Sequence, residues 1–263
     1  MHYVRRLLLQ GLHNARDLGG YAVEGGGVTR YGVFIRSEAP CSLEKTDIEA
    51  LLAYGLGASL DLRSSGEVRS RPSSLQNIVP YYHRSLFNEA VAFAPEDGED
   101  DRKPSAAPGG PGGPPGGPDG PEHDWGKMYV SMAEEARGWA IDVLDIAAKA
   151  DGALLYHCTT GKDRTGLLSC YLLSIAGAAA PDIVTNYSVS QVYLQPVYQT
   201  LFTGGMLQFG NNPDAPFFQT PPAAMQSLLD YLNRQYGGVV PFLQEIGVPK
   251  ETMQRIREKF VEP

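Results

Sequence analysis

The residues best suited to covalent chemistry stand together in the run His157-Cys158-Thr159-Thr160-Gly161-Lys162-Asp163-Arg164-Thr165-Gly166. Cys158 and Arg164 are separated by five residues, with the apolar run Ala153 to His157 before them and the apolar run Thr165 to Ala176 behind. A loop that joins the end of a strand to the start of a helix points successive backbone N–H groups at one spot, which makes an anion cradle of phosphate size. Thr159, Thr160, Gly161, Lys162, Asp163 and Arg164 are the expected cradle residues. Gly161 lets the chain turn without a side chain crowding the oxyanion. Arg164 offers a planar two-pronged donor to two phosphoryl oxygens, a geometry no ammonium can match. The positive field of such a loop favours the thiolate of Cys158, the form able to attack phosphorus. Thr165 is placed to donate its hydroxyl to that sulfur when it leaves. His157 suits either a place as a core histidine or donation to the loop carbonyls, and Lys162 and Asp163 read either as a solvated charge pair on the loop tip or as a second cation for the substrate and a group that orients donors or handles a proton. The implied reaction is two-step phosphomonoester hydrolysis through a cysteinyl-phosphate. Cys41 and Cys170 have Asp47 and Ala176 where Cys158 has Arg164, and both read as inert thiols.

The elements that must hold this loop follow from the apolar pattern. Ala153 to His157 reads as a buried strand and Thr165 to Ala176 as a strongly apolar helix. Upstream, Val33 to Arg36 and Ala58 to Leu62 read as strands and Ile78 to Phe87 as an extended run, with a helix from Ser42 to near Gly55. Lys127 to Lys149 has helical spacing, and further helices are expected near Asp182 to Ser188, Ala223 to Gln235 and Lys250 to Phe260. Strands alternating with helices predict an α/β fold, a central, mostly parallel sheet flanked by helices.

Composition bounds the rest. The chain has 263 residues, a formal charge of -8 and three cysteines with no Cys-x-x-Cys pair, which argues against a disulfide framework or a cysteine-rich zinc site. The apolar run Leu7 to Leu9 is too short for a secretory or membrane-spanning segment, so a cytoplasmic protein with no integral membrane segment is expected. Pro95 to Pro121 holds 8 Pro and 8 Gly in 27 residues, a density that no helix or strand survives. Extended to Asp124, this tract carries -6 of the net charge, leaving -2 for the remainder. We therefore expect one domain over residues 1–263 with a flexible acidic insertion at about 95–124, a flap able to compete with or repel anionic substrates. The acidic balance disfavours nucleic acid as a partner. Arg63, Arg69, Arg71 and Arg84 are candidates for a cationic rim. No repeat or oligomerisation signal is present.

The run from His157 to Gly166 resembles the signature loop of the cysteine-dependent protein tyrosine phosphatases, in particular a bacterial and fungal branch with a Gly-Lys-Asp-Arg-Thr-Gly loop. The resemblance extends to Asn14-Ala15-Arg16-Asp17-Leu18-Gly19-Gly20, to Phe34-Ile35-Arg36-Ser37-Glu38, to Asp61-Leu62-Arg63-Ser64 with Glu67, and to Tyr236-Gly237-Gly238 with Phe242-Leu243. It implies a tyrosine-phosphatase-like fold and hydrolysis of phosphotyrosine, with phosphoserine, phosphothreonine or phosphoinositides as further substrates, without metal or cofactor. It also implies Cys158 as nucleophile and Arg164 as phosphate binder, with Lys162 and Asp163 at the positions that mark the branch. The Trp-Pro-Asp tripeptide that supplies a general acid across the wider superfamily does not occur here. In the resembling branch an acid follows the strand equivalent to Tyr81 to Phe87, and Glu89 falls nearest to that place. The same Cys-x5-Arg spacing serves rhodanese-like sulfurtransferases and arsenate reductases, which lack the preceding His and the Gly-Lys-Asp-Arg-Thr-Gly context. A phosphate-binding module without turnover is usually marked by loss of the Cys or Arg, and both are present.

Overall fold

The computed structural model describes residues 5–86, 124–203 and 218–263. Its centre is a five-stranded sheet built from β1 (Arg16–Asp17), β3 (Phe34–Ser37), β4 (Leu56–Asp61), β5 (Tyr81–His83) and β6 (Ala153–His157), in the order β1-β3-β6-β4-β5. Only β1 runs antiparallel to its neighbour. A separate two-stranded ribbon joins β2 (Val28–Thr29) to β7 (Val261–Glu262).

The inner strands are apolar on both faces, as parallel strands covered from both sides must be. Along β6, Leu154 and Tyr156 face the larger core while Ala153 and Leu155 face a smaller one. The smaller core is closed by α1 (Lys45–Tyr54) through Leu51, together with Leu75. The larger core carries α3 (Trp125–Glu135), α4 (Arg137–Lys149), α5 (Asp163–Ala176), α6 (Ala180–Ser188), α8 (Pro222–Tyr236), α9 (Val239–Glu245) and α10 (Lys250–Phe260). Leu167, Cys170, Tyr171 and Leu172 bury α5 at its centre. A short α2 (Ser65–Ser70) and an α7 (Ser190–Thr203) complete the described elements.

Strand register sets where the site lies. Ser37 pairs with His157, His157 with Asp61, and Asp61 with His83. The C-terminal ends of four parallel strands therefore lie side by side, the edge at which open α/β sheets hold ligands.

Several expected elements differ in detail. The helical stretch Lys127 to Lys149 is two helices that break at Ala136. At that break Glu134 pairs with Arg137 and accepts bonds from the hydroxyls of Tyr231 and Tyr236 at 3.0 and 2.7 Å, so tertiary anchors override the common periodicity. Among the described residues the extended run from Ile78 is strand only over Tyr81–His83, and its last residue, Phe87, lies outside them. Helix α1 starts at Lys45, three residues after Ser42, and ends as expected at Gly55, which takes the left-handed conformation at φ 104°. Helix α5 starts at Asp163, two residues early. The insertion at 95–124 lies outside the described residues except for Asp124, whose side chain caps α3 by accepting from the Lys127 amide at 3.0 Å. No helix among the described residues is long and apolar enough to cross a membrane.

Candidate active site

The loop from β6 to α5 is held open by its own carbonyls. The His157 carbonyl accepts from the Leu62 amide at 2.8 Å and the Thr159 carbonyl from the Ala39 amide at 3.1 Å. The Thr160 carbonyl accepts from Asn14 Nδ2 at 3.0 Å. The Gly161 carbonyl accepts from Asn14 Nδ2 at 3.2 Å and from Arg36 Nη2 at 2.7 Å, and Arg36 Nη2 also reaches the Lys162 carbonyl at 3.3 Å. Because N–H and C=O of one planar peptide point opposite ways, tying the carbonyls into the surrounding protein turns the N–H groups toward the concave side. A loop so held is what the expected anion cradle requires.

Gly161 is required for this shape. Its φ is 70°, and a Cβ there would stand 2.3 Å from the Ser37 carbonyl oxygen. Neither the conformation nor the space admits a side chain.

Arg164, in the first turn of α5, is aimed by Glu67. Its Nη1 donates to Glu67 Oε2 at 2.7 Å and its Nη2 to Glu67 Oε1 at 2.9 Å, with a further bond to Thr159 Oγ1 at 3.2 Å. Thr159 also donates to Glu67. Burial alone would raise the Glu67 pKa, but the Arg164 bonds and charge outweigh it and hold the carboxyl well below the usual range. The same pairing outweighs burial at Arg164 and raises its pKa. Glu67 is in turn fixed by a capping box at the start of α2: the Ser64 amide donates to Glu67 Oε2 at 2.8 Å and the Glu67 amide to Ser64 Oγ at 3.3 Å.

Cys158 is 2% exposed at the base of the loop. His157, wholly buried, places Nδ1 3.2 Å from the Cys158 carbonyl oxygen. Burial pushes its pKa down to about 4 against the opposing pull of Asp61. The ring is therefore neutral near pH 7, and its 3.6 Å approach to Asp61 Oδ2 is not an ion pair. Thr165 is buried, and its hydroxyl has no hydrogen-bond partner among the described residues. The expected bond to the Cys158 sulfur is thus not made in this state.

Lys162 and Asp163 are gripped by α3. The Tyr129 hydroxyl donates to Asp163 Oδ1 at 2.7 Å. Lys162 is 2% exposed, with Nζ 5.0 Å from the centre of the Trp125 ring and 3.8 Å from Asp163 Oδ2. It lies under an aromatic ring and is not an open cation at the mouth. The arginine rim also differs from expectation. Arg63 is buried in a two-pronged pair with Asp61, at 2.6 Å from Nη2, and Arg84 lies 3.6 Å from Asp142. The Arg63 guanidinium is consumed by a carboxylate of the fold itself, whereas Arg84 stays half exposed beside Asp142. Glu89 lies outside the described residues. The roles of Asn14, Arg16, Arg36 and Glu67 are not readable from local spacing, since each acts across more than 90 residues or through another side chain.

Among the described residues no cluster of three or more His, Cys, Asp or Glu stands ready to hold a metal ion. A groove of about 580 Å³, lined by Ser174, Val240, Met253 and Arg257, shares no residue with the loop.

Comparison with known proteins agrees with this geometry. A family model described as "Tyrosine phosphatase family" matches residues 7–262. This chain belongs to the tyrosine phosphatase family. It is 29% identical over 234 residues to a tyrosine-protein phosphatase of Nostoc commune, covering 86% of this chain and 74% of that protein. It is 30% identical over 176 residues to a Cupriavidus necator protein provisionally named a tyrosine-protein phosphatase, covering 67% of this chain and 59% of the relative. The chain is accordingly a protein tyrosine phosphatase, and the mixed α/β fold with its mostly parallel sheet is that of the family.

Proposed function

We propose that this phosphatase hydrolyses phosphomonoesters in two displacements at Cys158. The thiolate attacks phosphorus and the ester oxygen departs with a proton; water then attacks the cysteinyl-phosphate, releasing inorganic phosphate and restoring the thiolate. The observation that carries this reading is the loop itself, with the carbonyls of Thr159, Thr160, Gly161 and Lys162 drawn off by other groups and Arg164 clamped by both oxygens of Glu67. Such a loop presents donors to three equatorial oxygens as charge develops on them. Thr165, with a buried hydroxyl lacking a partner among the described residues, serves the sulfur as it becomes the leaving group. Two carboxylates are candidates for moving the leaving-group proton: Asp163, held by Tyr129, and Glu89. In Asp163→Asn and Glu89→Gln variants, a fall in kcat confined to aryl phosphates with poor leaving groups marks the donor.

Phosphotyrosine is the favoured substrate over phosphoserine, phosphothreonine or phosphoinositides. Cys158 is 2% exposed, so the phosphoryl group must arrive on a long side chain, and Lys162 under Trp125 is not displayed for a second phosphate. The enzyme acts as one domain, and its three free cysteines suit a reducing cytoplasm. Hydrolysis of p-nitrophenyl phosphate in EDTA that disappears in Cys158→Ser supports the mechanism; undiminished turnover in that variant overturns it. Rates on phosphotyrosine peptide, phosphoserine peptide and phosphoinositide vesicles test the specificity, and faster turnover of the lipid would reverse it.

A further inference from the structure

Arg16 and Arg36 face each other across the β1–β3 pair as registered cross-strand partners. Like charges in that position repel. Both residues are at most 2% exposed, so each guanidinium has also lost its water. The usual compensation is a carboxylate, as Asp61 provides for Arg63 and Glu67 for Arg164. Among the described residues, neither Arg16 nor Arg36 has one.

Their partners are neutral. Arg16 Nη1 donates to the Asn14 carbonyl at 2.7 Å and to Asn14 Oδ1 at 2.5 Å, and its Nη2 to the Asn186 carbonyl at 2.7 Å and Ser190 Oγ at 2.8 Å. Arg36 Nη1 donates to Asn186 Oδ1 at 2.6 Å while its Nη2 takes the Gly161 and Lys162 carbonyls. The Nε of each arginine has no partner among the described residues. Both arginines bind Asn186 directly, and both lead to the signature loop: Arg36 binds it directly, and Arg16 binds Asn14, which binds Thr160 and Gly161. Two desolvated cations behind an oxyanion cradle, neither paired with a carboxylate among the described residues, have only the Cys158 thiolate as a nearby anion until a substrate enters.

We propose that Arg16 and Arg36 are positioning residues whose paired charge, acting from behind the loop, sets the preference of the site for a doubly charged phosphoryl group over a singly charged one. The inference rests on the proposed site at Cys158 and deepens it. A fixed positive field stabilises a dianion about twice as much as a monoanion of the same shape, since Coulomb energy is proportional to the ligand charge. Substrates of the class R–O–PO3 with two negative charges are selected over phosphodiesters by this field as well as by shape. A purely structural role, tying the N-terminal segment to α6, would be filled equally well by uncharged donors and would not discriminate between ligand charges.

The test compares two competitive inhibitors at pH 8, phenylphosphonate as the dianion and its monomethyl ester as the monoanion, against p-nitrophenyl phosphate. In Arg16→Met, whose wild-type side chain does not touch the loop backbone, the Ki of phenylphosphonate rises roughly tenfold and that of the monoester roughly threefold, so the preference falls about threefold. Arg36→Met lowers the preference similarly, while Arg36→Lys retains it even where kcat drops. Unchanged preference in folded Arg16→Met and Arg36→Met overturns the proposal. Should the Met variants fail to fold, the unaltered enzyme decides: a preference set by buried charge survives 1 M salt, where the Debye length is about 3 Å, and one that collapses in salt belongs to surface charge and refutes the assignment. Failure of the proposed site itself reads differently, as turnover that persists in Cys158→Ser.

Discussion

Glu67 offers the sharpest single perturbation, because two of its functions can be separated chemically. One is to hold both arms of Arg164, at 2.7 and 2.9 Å. The other is to close the capping box of α2 with Ser64. Glutamine at position 67 keeps the second, since a capping box accepts Glu or Gln at that place, and loses the charge on which the first depends. Charge-assisted bonds contribute about 1.5 to 3 kcal/mol each when buried. The Glu67 side chain is 34% exposed and that of Arg164 14%, so solvent screening removes roughly half of the two-bond sum, leaving about 1.5 to 3 kcal/mol of positioning. If that energy is expressed where Arg164 must fit the transition state, kcat/KM falls roughly 10- to 100-fold. Removing the Glu67 anion also makes the cradle more positive, which offsets the loss in ground-state binding, so the change falls mainly in kcat. The assay is steady-state hydrolysis of p-nitrophenyl phosphate by Glu67→Gln beside Ser64→Ala, with thermal melts of both. Ser64→Ala loses about 1 kcal/mol of stability by uncapping α2 and keeps nearly all of its kcat. A folded Glu67→Gln enzyme with kcat within threefold of the parent would refute the assignment of Glu67 as the residue that aims Arg164.

Three further outcomes follow from the same geometry. Gly161→Ala, with φ 70° and a Cβ 2.3 Å from the Ser37 carbonyl, abolishes turnover and lowers stability by about 2 kcal/mol or more, read by a denaturant melt; an active, equally stable variant contradicts the loop geometry. For His157, the folded pKa of about 4 lies below the unfolded value of about 6.5, so its contribution is complete above pH 6.5 and is lost as pH falls toward 4. That 2.5-unit gap corresponds to about 3 kcal/mol, and a stability profile over pH 4 to 7 that is unchanged in His157→Gln would rule this out. Tyr129→Phe, which leaves Asp163 without its donor, lowers kcat roughly tenfold with little change in KM; an equal rise in KM instead would mark Asp163 as a binding residue.

Much of this site is legible in the sequence because its residues are local. Cys158, Gly161 and Arg164 fall within one loop, and the strand Ala153–His157 and the apolar helix behind it announce themselves by periodicity. The supporting groups are another matter. Asn14 and Arg36 reach the loop carbonyls across 146 and 125 residues, and Glu67 reaches Arg164 across 97. No spacing rule brings such residues together; only the strand order β1-β3-β6-β4-β5 does. The short strands β1, β2 and β7, two residues each, carry too few side chains to show a period. Lys162 reads as an available cation because composition shows its charge but not the Trp125 ring that covers it. Arg63 reads as part of a rim for the same reason, with Asp61 two residues away taking its guanidinium.

The central claim is that Cys158 carries the phosphoryl group between the two displacements. Rapid acid quench of the enzyme during turnover of p-nitrophenyl phosphate, followed by peptide mapping, tests it directly. The account predicts phosphate on the peptide holding Cys158 in the native enzyme and none in Cys158→Ser. Phosphate on another side chain, or turnover without any phosphorylated enzyme, would contradict it.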